Sequence, residues 1–499
     1  MGSGSQFAAI GTNRRVGRFL VVICGAVLAL PLGGCLLTDK SDPKLDIPVS
    51  YREGPRKPQV AEAALPPLDW WQKFHSRELT QLIEQARDAN LDIAAAVARI
   101  VQADAQARIA GAPLLPNVEL DSSANRSRPS QTTGVGGGGA GIATVGGPSE
   151  RNLLSASLTA SYEIDFWGKN RSALRVAEQT AVATRYDREV VGLTTIVSVA
   201  NAYFQVLASQ DRLRVARENV KSSTRILNLI NQRLSAGTTS ALEVAQQESL
   251  VNTERATIPP LEQTLQQNKA ALALLIAQPY ERVNIRGGSL TSVAIPRVTP
   301  GLPSELIAQR PDIREAEAQL AAADANVENA RAQMFPSITL TAEGGYQSAV
   351  LKTLLRPESA FFNLTAGLTQ PIFDGFRLQG NLDQQKGRQD ELLQDYRKAV
   401  ISGFTDVDKA LIAVRQTTLT VKLQTEVVTS SQRAFDISEQ RLQEGTVDLV
   451  TVLQTQQTLF QAQDALAQAR LTRLLAVVSL YQALGGGWLP HPVEANNAR

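Results

Sequence analysis

Two very long segments without proline place the strongest constraint on the fold. Residues 170–234 and 378–442 each run for about 65 residues without a proline, the residue that most strongly interrupts a helix. At about 1.5 Å per residue, each segment predicts a helix roughly 100 Å long, whereas an average helix has about 11–12 residues. One compact domain cannot accommodate such helices, so they must pack side by side, as coiled coils or as a helical barrel.

The chain contains two copies of one unit. Residues 91–120 align without a gap with residues 311–340, at an offset of 220 residues. A second block aligns at an offset of 208 and contains the motif Arg-Leu-x-x-Gly-Thr at 233–238 and again at 441–446. The difference between the two offsets falls on a glycine-rich run, 134–147, which predicts a longer loop in the first copy.

Both repeats, 65–300 and 301–488, predict the same order of elements. A helix is followed by a pair of strands, the long helix, a glycine turn and a returning helix. The turns fall at Gly237 and Gly445, and glycine is common just after the end of a helix. The Pro-Pro pair at 259–260 predicts that the returning helix of repeat 1 is broken, whereas repeat 2 has no proline there and predicts a continuous helix.

Four segments alternate apolar and polar residues with the period of a β-strand. They lie at about 117–125, 153–165, 337–346 and 361–372. Strands of about ten residues are long enough to cross a bilayer when tilted, with small polar side chains toward a wet lumen and apolar ones toward lipid. A soluble sheet packed on helices would show the same alternation and stays open as an alternative.

Four strands are too few to close a barrel, which needs about eight. Lipid offers no hydrogen-bond partner to an unpaired strand edge. The membrane interpretation therefore requires strands from several copies of the chain to share one wall.

The N-terminus has the pattern of a signal sequence. Arg14, Arg15 and Arg18 precede an apolar run, 19–30, that is too short to span a bilayer as a helix. The sequence Leu-Gly-Gly-Cys that follows resembles a bacterial lipobox.

The lipobox predicts that residues 1–34 are removed and that Cys35 becomes the acylated first residue of the mature chain. Its anchor would be an N-terminal diacylglycerol and palmitate, followed by an extended lipid-anchored segment, 35–64. Leu36 stands where aspartate retains such lipoproteins in the inner membrane, so outer-membrane sorting is predicted.

Composition argues against several classes of function. The net charge is +2, from 50 basic and 48 acidic residues, which predicts no nucleic-acid partner. Two histidines and two cysteines form no metal-binding cluster and no catalytic couple. We therefore expect no enzyme activity, no catalytic residue, no metal and no cofactor beyond the lipid anchor; residues 489–499 form a C-terminal tail.

Several motifs together resemble the TolC/OprM family of outer-membrane efflux proteins, in particular its NodT-type lipoprotein branch. They span nearly the whole mature chain and lie at 70–74, 162–168, 370–375, 441–445 and 480–488. The resemblance implies an α+β membrane protein: a homotrimer with a 12-stranded transmembrane β-barrel, four strands per chain, continued by a 12-helix α-barrel in the periplasm. It also implies a periplasmic membrane-fusion adaptor and an inner-membrane transporter of the resistance-nodulation-division type as partners.

The resemblance also assigns roles to residues near the two glycine turns. The helical tips would contact the adaptor through Arg233, Gly237, Thr238, Arg441, Gly445 and Thr446. The acidic constriction of the family falls on Thr451 and Gln454, neither of which is acidic. Glu243 in repeat 1 is the nearest equivalent carboxylate. Leu449, Val450 and Leu453 are candidates for an apolar constriction instead, with packing between helices as the alternative role expected for at least two of them.

The resulting functional hypothesis is a passive exit channel for small molecules such as drugs, toxic organics or metals. Two alternatives stay open: an outer-membrane duct for type I protein secretion, and a non-conducting structural lipoprotein that acts as a spacer. Genes for a transporter with a protein substrate beside this one would favour secretion, and absence of conductance in planar bilayers would favour a spacer.

The lipobox generates a direct prediction. We expect Cys35→Ser to abolish incorporation of [³H]palmitate while the barrel still inserts, because membrane crossing is assigned to the strands and not to the anchor. Labelling that survives the substitution would show that the lipobox assignment is wrong.

Overall fold

The structure is a computed structural model, and it describes residues 43–45, 47–48, 51, 67–128, 150–296, 298, 303–486 and 488. The signal sequence, the Cys35 lipidation site, the glycine-rich run 134–147 and the tail 489–499 lie outside the described residues. The chain divides into two compact units. Among the described residues, the first comprises 107–128, 150–177 and 321–390, and the second comprises 43–45, 47–48, 51, 67–106, 178–296, 298, 303–320, 391–486 and 488.

Helices dominate the described part of the chain, together with four strands. The helices are α1 (Arg77–Ala89), α2 (Leu91–Gly111), α3 (Lys169–Ser235), α4 (Ala241–Leu275), α5 (Pro303–Gln309), α6 (Pro311–Ala332), α7 (Arg377–Gln443) and α8 (Leu449–Ala483). The strands are β1 (Asn117–Ser127), β2 (Arg151–Ile164), β3 (Ser337–Ser348) and β4 (Ala360–Thr369).

The same order of elements occurs twice. Helices α3 and α7 each have 67 residues, and the returning helices α4 and α8 each have 35. Both ends of all four helices correspond at the 208-residue offset found in the sequence. The hairpins correspond as well: Asn117 pairs with Ser161 in the first and Ser337 with Thr369 in the second. The two repeats therefore share bounds and strand register.

The expected break at Pro259 and Pro260 is wrong, because α4 runs unbroken through both prolines. An interior proline costs about 3 kcal/mol or more. Ile258 and Leu261, on either side of the pair, pack against the main apolar cluster of the second unit, and the Thr264 hydroxyl donates to the Pro260 carbonyl at 2.8 Å. Tertiary packing thus holds the helix where local preference would end it.

Aromatic side chains form the centre of the second unit. Trp70 stacks on Tyr481 with ring centroids 4.6 Å apart, and Phe74 lies against Phe204 at 5.2 Å. Trp70 and Phe74 are fully buried. The aromatic motif before α1 therefore anchors the N-terminal part of this unit to α3 and α8.

Two neighbouring glycines in β3 differ sharply in the space around them. A Cβ atom on Gly345 would lie 2.2 Å from the Ala156 carbonyl oxygen, whereas a Cβ on Gly344 would meet nothing closer than 3.8 Å. The close approach of β2 to β3 therefore depends on the glycine at 345 and tolerates a side chain at 344.

We expect Gly345→Ala to destabilise the sheet by about 1–3 kcal/mol, the usual cost of forcing an extra methyl group into a packed site. Gly344→Ala is the matched control and should be neutral to within about 0.5 kcal/mol. Heat-modifiable mobility in gel electrophoresis of membrane fractions measures the folded fraction. Equal losses for the two variants would contradict the steric explanation.

Candidate functional site

The four strands form one antiparallel sheet in the order β1-β2-β3-β4. Directly paired residues point to the same face, so the register assigns each residue to a face. One row across the sheet contains Leu120, Leu158, Gly344 and Phe362. Rows of this parity are mostly apolar; the exceptions are Ser122 in the middle of β1 and, toward one end of the sheet, Arg126, Asn152 and Ser348.

Rows of the other parity are polar. The row next to Leu120 contains Glu119, Thr159, Glu343 and Asn363. Serine, threonine and carboxylate side chains dominate this face, and Leu153 and Phe361 are apolar exceptions. Because the strand register aligns the alternating apolar and polar residues, the sheet has one apolar and one polar face.

The apolar face is uncovered. Leu120 is 74% exposed, Phe362 83% and Leu364 74%, and no helix among the described residues covers them. A soluble sheet packed on helices would bury this face, so that alternative is wrong for the described chain. An apolar surface of this size indicates contact with lipid or with another protein.

A helical route through the membrane has little support. Among the described residues, α3 contains a stretch that is long and apolar enough to cross a bilayer, with a mean hydropathy of 1.6. However, 61% of that stretch is buried inside the structure, as in the core helix of a folded unit. The strands are therefore the segments available to face lipid.

The expected fourth strand, 361–372, ends earlier than the alternation suggested. β4 ends at Thr369, which pairs with Ser337, the first residue of β3. The three residues that follow have no strand beside them in the described chain, and Pro371 lacks a backbone donor. In this sheet β1 and β4 are each paired on one side only.

The two helical tips share one geometry. Gly237 and Gly445 adopt left-handed backbone conformations, with φ of 71° and 73°. At each tip the glycine amide donates to the carbonyl three residues earlier, and the following threonine amide donates to the arginine carbonyl five residues earlier, at 2.9 Å. This is a Schellman ending, in which glycine avoids the strain that a Cβ atom would cause.

The two arginines of the tip motif differ in their contacts. Arg233 reaches from repeat 1 to repeat 2 and donates from Nη1 to the Leu442 carbonyl at 2.9 Å. Its counterpart Arg441 is exposed, and among the described residues its guanidinium has no partner. Its backbone carbonyl accepts from the Thr446 amide at 2.9 Å and from the Thr446 hydroxyl at 3.2 Å. In repeat 1 the Thr238 hydroxyl makes the corresponding bond at 3.0 Å. Arg233 therefore links the tips of the two repeats within one chain.

The returning helices begin with different caps. In α4 the Ser240 hydroxyl accepts from the Glu243 amide at 3.4 Å. In α8 the Asp448 carboxylate accepts from the Thr451 amide at 2.8 Å and from its hydroxyl at 2.6 Å. These two hydrogen bonds hold the pKa of Asp448 below its ordinary value. Only the cap of α8 can therefore be lost by protonation.

The apolar constriction candidates separate into packed and exposed residues. Leu449 is buried and Leu453 packs against the same apolar cluster, which also contains Ile226 and Phe435. Val450 is 46% exposed. Two of the three side chains therefore hold the tip together, and Val450 alone points away from its core.

The polar candidates lie on the exposed side of the returning helices. Thr451 and Gln454 are exposed, and Glu243 is half-buried. The hydroxyl of Thr451 is already bonded to Asp448. All of these residues fall within the first two turns of α4 or α8, close to the tips along the chain.

Sequence reasoning missed the caps and a pair of buried amides. Ser240 followed by Glu243 fits a capping box, a signal that was present in the sequence. Gln247 is fully buried and donates to the Ser223 carbonyl at 2.9 Å. Gln456 is fully buried, and among the described residues its amide atoms have no hydrogen-bond partner. No sequence signal distinguishes these glutamines from the many exposed ones nearby.

The fold and these surfaces together define a class of protein. Its sheet has an uncovered apolar face and two open edges, and very long helices follow each hairpin. A chain of this kind belongs among membrane proteins that cross lipid by strands, because a spanning structure must satisfy its backbone polar groups internally.

Comparisons with known proteins identify the family. The chain is 42% identical over 419 residues to the pyoverdine export outer membrane protein OpmQ of Pseudomonas aeruginosa, covering 84% of this chain and 87% of that protein. It is 32% identical over 475 residues to the toluene efflux pump outer membrane protein TtgC of Pseudomonas putida, covering 94% and 96%. The family model for outer membrane efflux proteins matches residues 82–278 and 302–486. The chain belongs to the outer membrane efflux protein family.

A solved structure supports the fold. The outer-membrane channel OprN superimposes with a TM-score of 0.83 at 23% identity, covering 90% of this chain and 99% of that chain. The comparisons confirm the family resemblance, the outer-membrane location and the function as an efflux channel. A family of channels is also consistent with the expectation that the chain is not an enzyme.

The Asp448 cap predicts an acid-sensitive tip in repeat 2. A carboxylate whose pKa is lower in the folded state stabilises that state above its ordinary pKa of about 3.9. The stabilisation is lost as the pH falls through the lowered value. We expect hydrogen-exchange protection at the start of α8, corrected for intrinsic rates, to fall several-fold below that pH.

Two comparisons control this experiment. The start of α4, capped by the neutral Ser240, should keep its protection over the same pH range. Asp448→Asn, which retains a capping oxygen without a titratable group, should remove the pH dependence in α8. An unchanged acid response in that variant would rule out the cap as its source.

Proposed function

We propose that three copies of this chain form one channel, with a 12-stranded barrel in the outer membrane and a 12-helix tunnel in the periplasm. The observation that carries this proposal is the sheet with two faces and two open edges. Four strands are fewer than a barrel needs, and β1 and β4 offer complementary edges to neighbouring copies. Joining these edges leaves no unpaired strand in lipid.

In this arrangement the polar face of the sheet lines the lumen and the apolar face contacts lipid. Leu364 and Phe362 then lie in the hydrocarbon region, where their exposure is favourable. The Glu119 and Glu343 carboxylates lie on the wet side, where charge is tolerated. Cys35, acylated at the mature N-terminus, adds a lipid anchor to each copy.

The channel acts as the exit duct of a tripartite pump. Substrates would pass from an inner-membrane transporter, of the resistance-nodulation-division type, through a periplasmic adaptor that meets the helical tips. The exposed parts of the Gly237 and Gly445 turns are the surfaces offered to the adaptor. We assign a passive role to the duct itself, with its partners driving transport.

The constriction of the closed duct lies just beyond the tips. Val450, Thr451 and Gln454 share the exposed side of α8 near its start, and Glu243 is at the equivalent part of α4. Leu449 and Leu453 are packing residues. We therefore assign the narrowest ring to one apolar and two polar side chains of repeat 2, with the Glu243 carboxylate of repeat 1 nearby.

Substrates are small molecules, of which the relatives name two kinds. OpmQ is named for pyoverdine export and TtgC for toluene efflux. Because channels of one family serve different compounds, we assign a lumen of generic polarity to this duct and selection of the substrate to the transporter.

A deletion strain tests the function. Loss of this chain should increase sensitivity to exported compounds, and plasmid-borne chain should restore resistance only when adaptor and transporter are both present. Rescue without either partner would contradict a passive tripartite exit duct.

Two adjacent positions in β4 supply matched variants. Leu364→Lys places a charge on the lipid face, at a cost of about 2–4 kcal/mol near the bilayer midplane, and should abolish rescue and membrane assembly. Thr365→Lys places the same charge on the lumen face and should preserve both. Equal behaviour of the two variants would show that the faces are wrongly assigned.

A further inference from the structure

Because the chain contains two equivalent repeats, a contact between the repeats within one chain predicts an equivalent contact between neighbouring chains. Helix α6 of repeat 2 packs on two long helices. On one side Val327 and Ala330 contact Leu382 of α7. On the other side α6 contacts α3 of repeat 1 through polar side chains. The contacting residues of both helices belong to the first compact unit.

An ion pair forms the contact between α6 and α3. Arg175 Nη1 lies 2.5 Å from Glu328 Oε2, and the Glu328 side chain is only 13% exposed. The next residue, Asn329, donates to the Lys169 carbonyl at 2.7 Å. Two successive residues of α6 therefore connect repeat 2 to repeat 1.

Helix α2 is the counterpart of α6 in repeat 1, but among the described residues a long helix lies on one side of it only. Gly111 lies against Leu174 of α3, the equivalent of the contact between α6 and Leu382. The residues equivalent to Glu328 and Asn329 are Arg108 and Ile109. Both are exposed, Ile109 to 62%, and Arg108 has no ion-pair partner in the described part of its chain.

The equivalent pair has the opposite charges. At an offset of 220 residues Glu328 corresponds to Arg108, and at an offset of 208 Arg175 corresponds to Asp383. Asp383 is exposed on α7, where its carboxylate accepts from Gln379 of the same helix at 3.0 and 3.2 Å. The ion pair between the repeats within one chain thus corresponds to a second pair of residues with opposite charges. These residues, Arg108 and Asp383, are exposed and do not contact each other within the chain.

We propose that Arg108 of one copy forms an ion pair with Asp383 of the next copy, and that the reversed polarity determines the order of repeats around the channel. The proposal rests on the trimer described under the proposed function and specifies its interface. Ile109, beside Arg108, is buried by the same contact. The occupant of the open face of α2 is therefore α7 of a second copy of this chain.

The strands independently support the same arrangement of neighbouring copies. Within the chain Ile164 of β2 pairs with Ile338 of β3. The same two offsets place Ile372 opposite Val118 of a neighbouring copy, and these side chains are 90% and 61% exposed. Apolar residues on the lipid face thus meet each other, and the residues beyond Thr369 acquire the strand partner that they lack in one chain.

Reversed polarity discriminates against wrong neighbours. If α2 of one copy docked against α3 of another, Arg108 would face Arg175. If α6 docked against α7 of another, Glu328 would face Asp383. Both arrangements place like charges together, whereas alternation of the repeats places opposite charges at every junction. Specificity then comes from repulsion in the wrong assemblies as well as attraction in the right one.

Thiol cross-linking tests the pair directly in the full-length chain. We expect Arg108→Cys combined with Asp383→Cys to give covalent dimers and trimers with a short bis-maleimide, while either substitution alone gives none above the background of the native cysteines. The matched control is Arg175→Cys combined with Glu328→Cys, which should cross-link within the chain and leave it at the mass of a monomer.

The outcomes separate this inference from the trimer itself. If the unmodified chain is trimeric by native mass and the Arg108 and Asp383 variant gives no ladder, the ion pair is refuted while the trimer stands. If the unmodified chain is monomeric in its native membrane, the proposed trimer fails first. A ladder from the control pair would place α3 and α6 in different copies and would also overturn the proposal.

Charge reversal provides a second measurement that does not depend on cysteine. Arg108→Glu or Asp383→Arg alone should lower the fraction of heat-resistant trimer several-fold, because each junction then carries like charges. The double variant should recover most of the loss. Absence of recovery, with both single variants impaired, would show that the residues act separately and would overturn the pairing.

Discussion

The structure depends on the hydrogen-bonding requirement of a strand backbone in lipid. Every amide and carbonyl group in the hydrocarbon region needs a partner within the protein. In this sheet β2 and β3 are paired on both sides, whereas β1 and β4 are each paired on one. The proposed assembly of several copies would satisfy those edges without water, with the apolar face of the sheet outside and the polar face inside.

The internal duplication of the chain makes such an assembly possible. Because the two hairpins have the same register and the long helices the same length, a contact made once within the chain can be made again between chains. The two kinds of contact are not identical, since Arg175 and Glu328 within the chain correspond to Asp383 and Arg108 at the open face. In the proposed trimer, these chemical differences at equivalent positions would distinguish one neighbour from the other in a nearly symmetric ring.

Sequence patterns predicted the regular elements closely and failed where distant contacts decide. The long helix expected at 170–234 runs from Lys169 to Ser235, because its length and lack of proline are local properties. The break expected at 259–260 is absent because packing around Ile258 outweighs the proline penalty. At the tips the glycine turns were predictable, but the bond from Arg233 to the Leu442 carbonyl requires knowing which helices are neighbours.

Equal helix length has a consequence for how such a duct can change its reach. Removing one residue from α3 would shorten it by about 1.5 Å and rotate everything beyond the deletion by about 100°, displacing the tip from its partner in α7. Removal of about seven residues, two turns, or of about eleven, three turns, nearly restores the rotation, and both repeats must change together. The length of the paired helices is therefore adjustable in steps of whole turns and not one residue at a time.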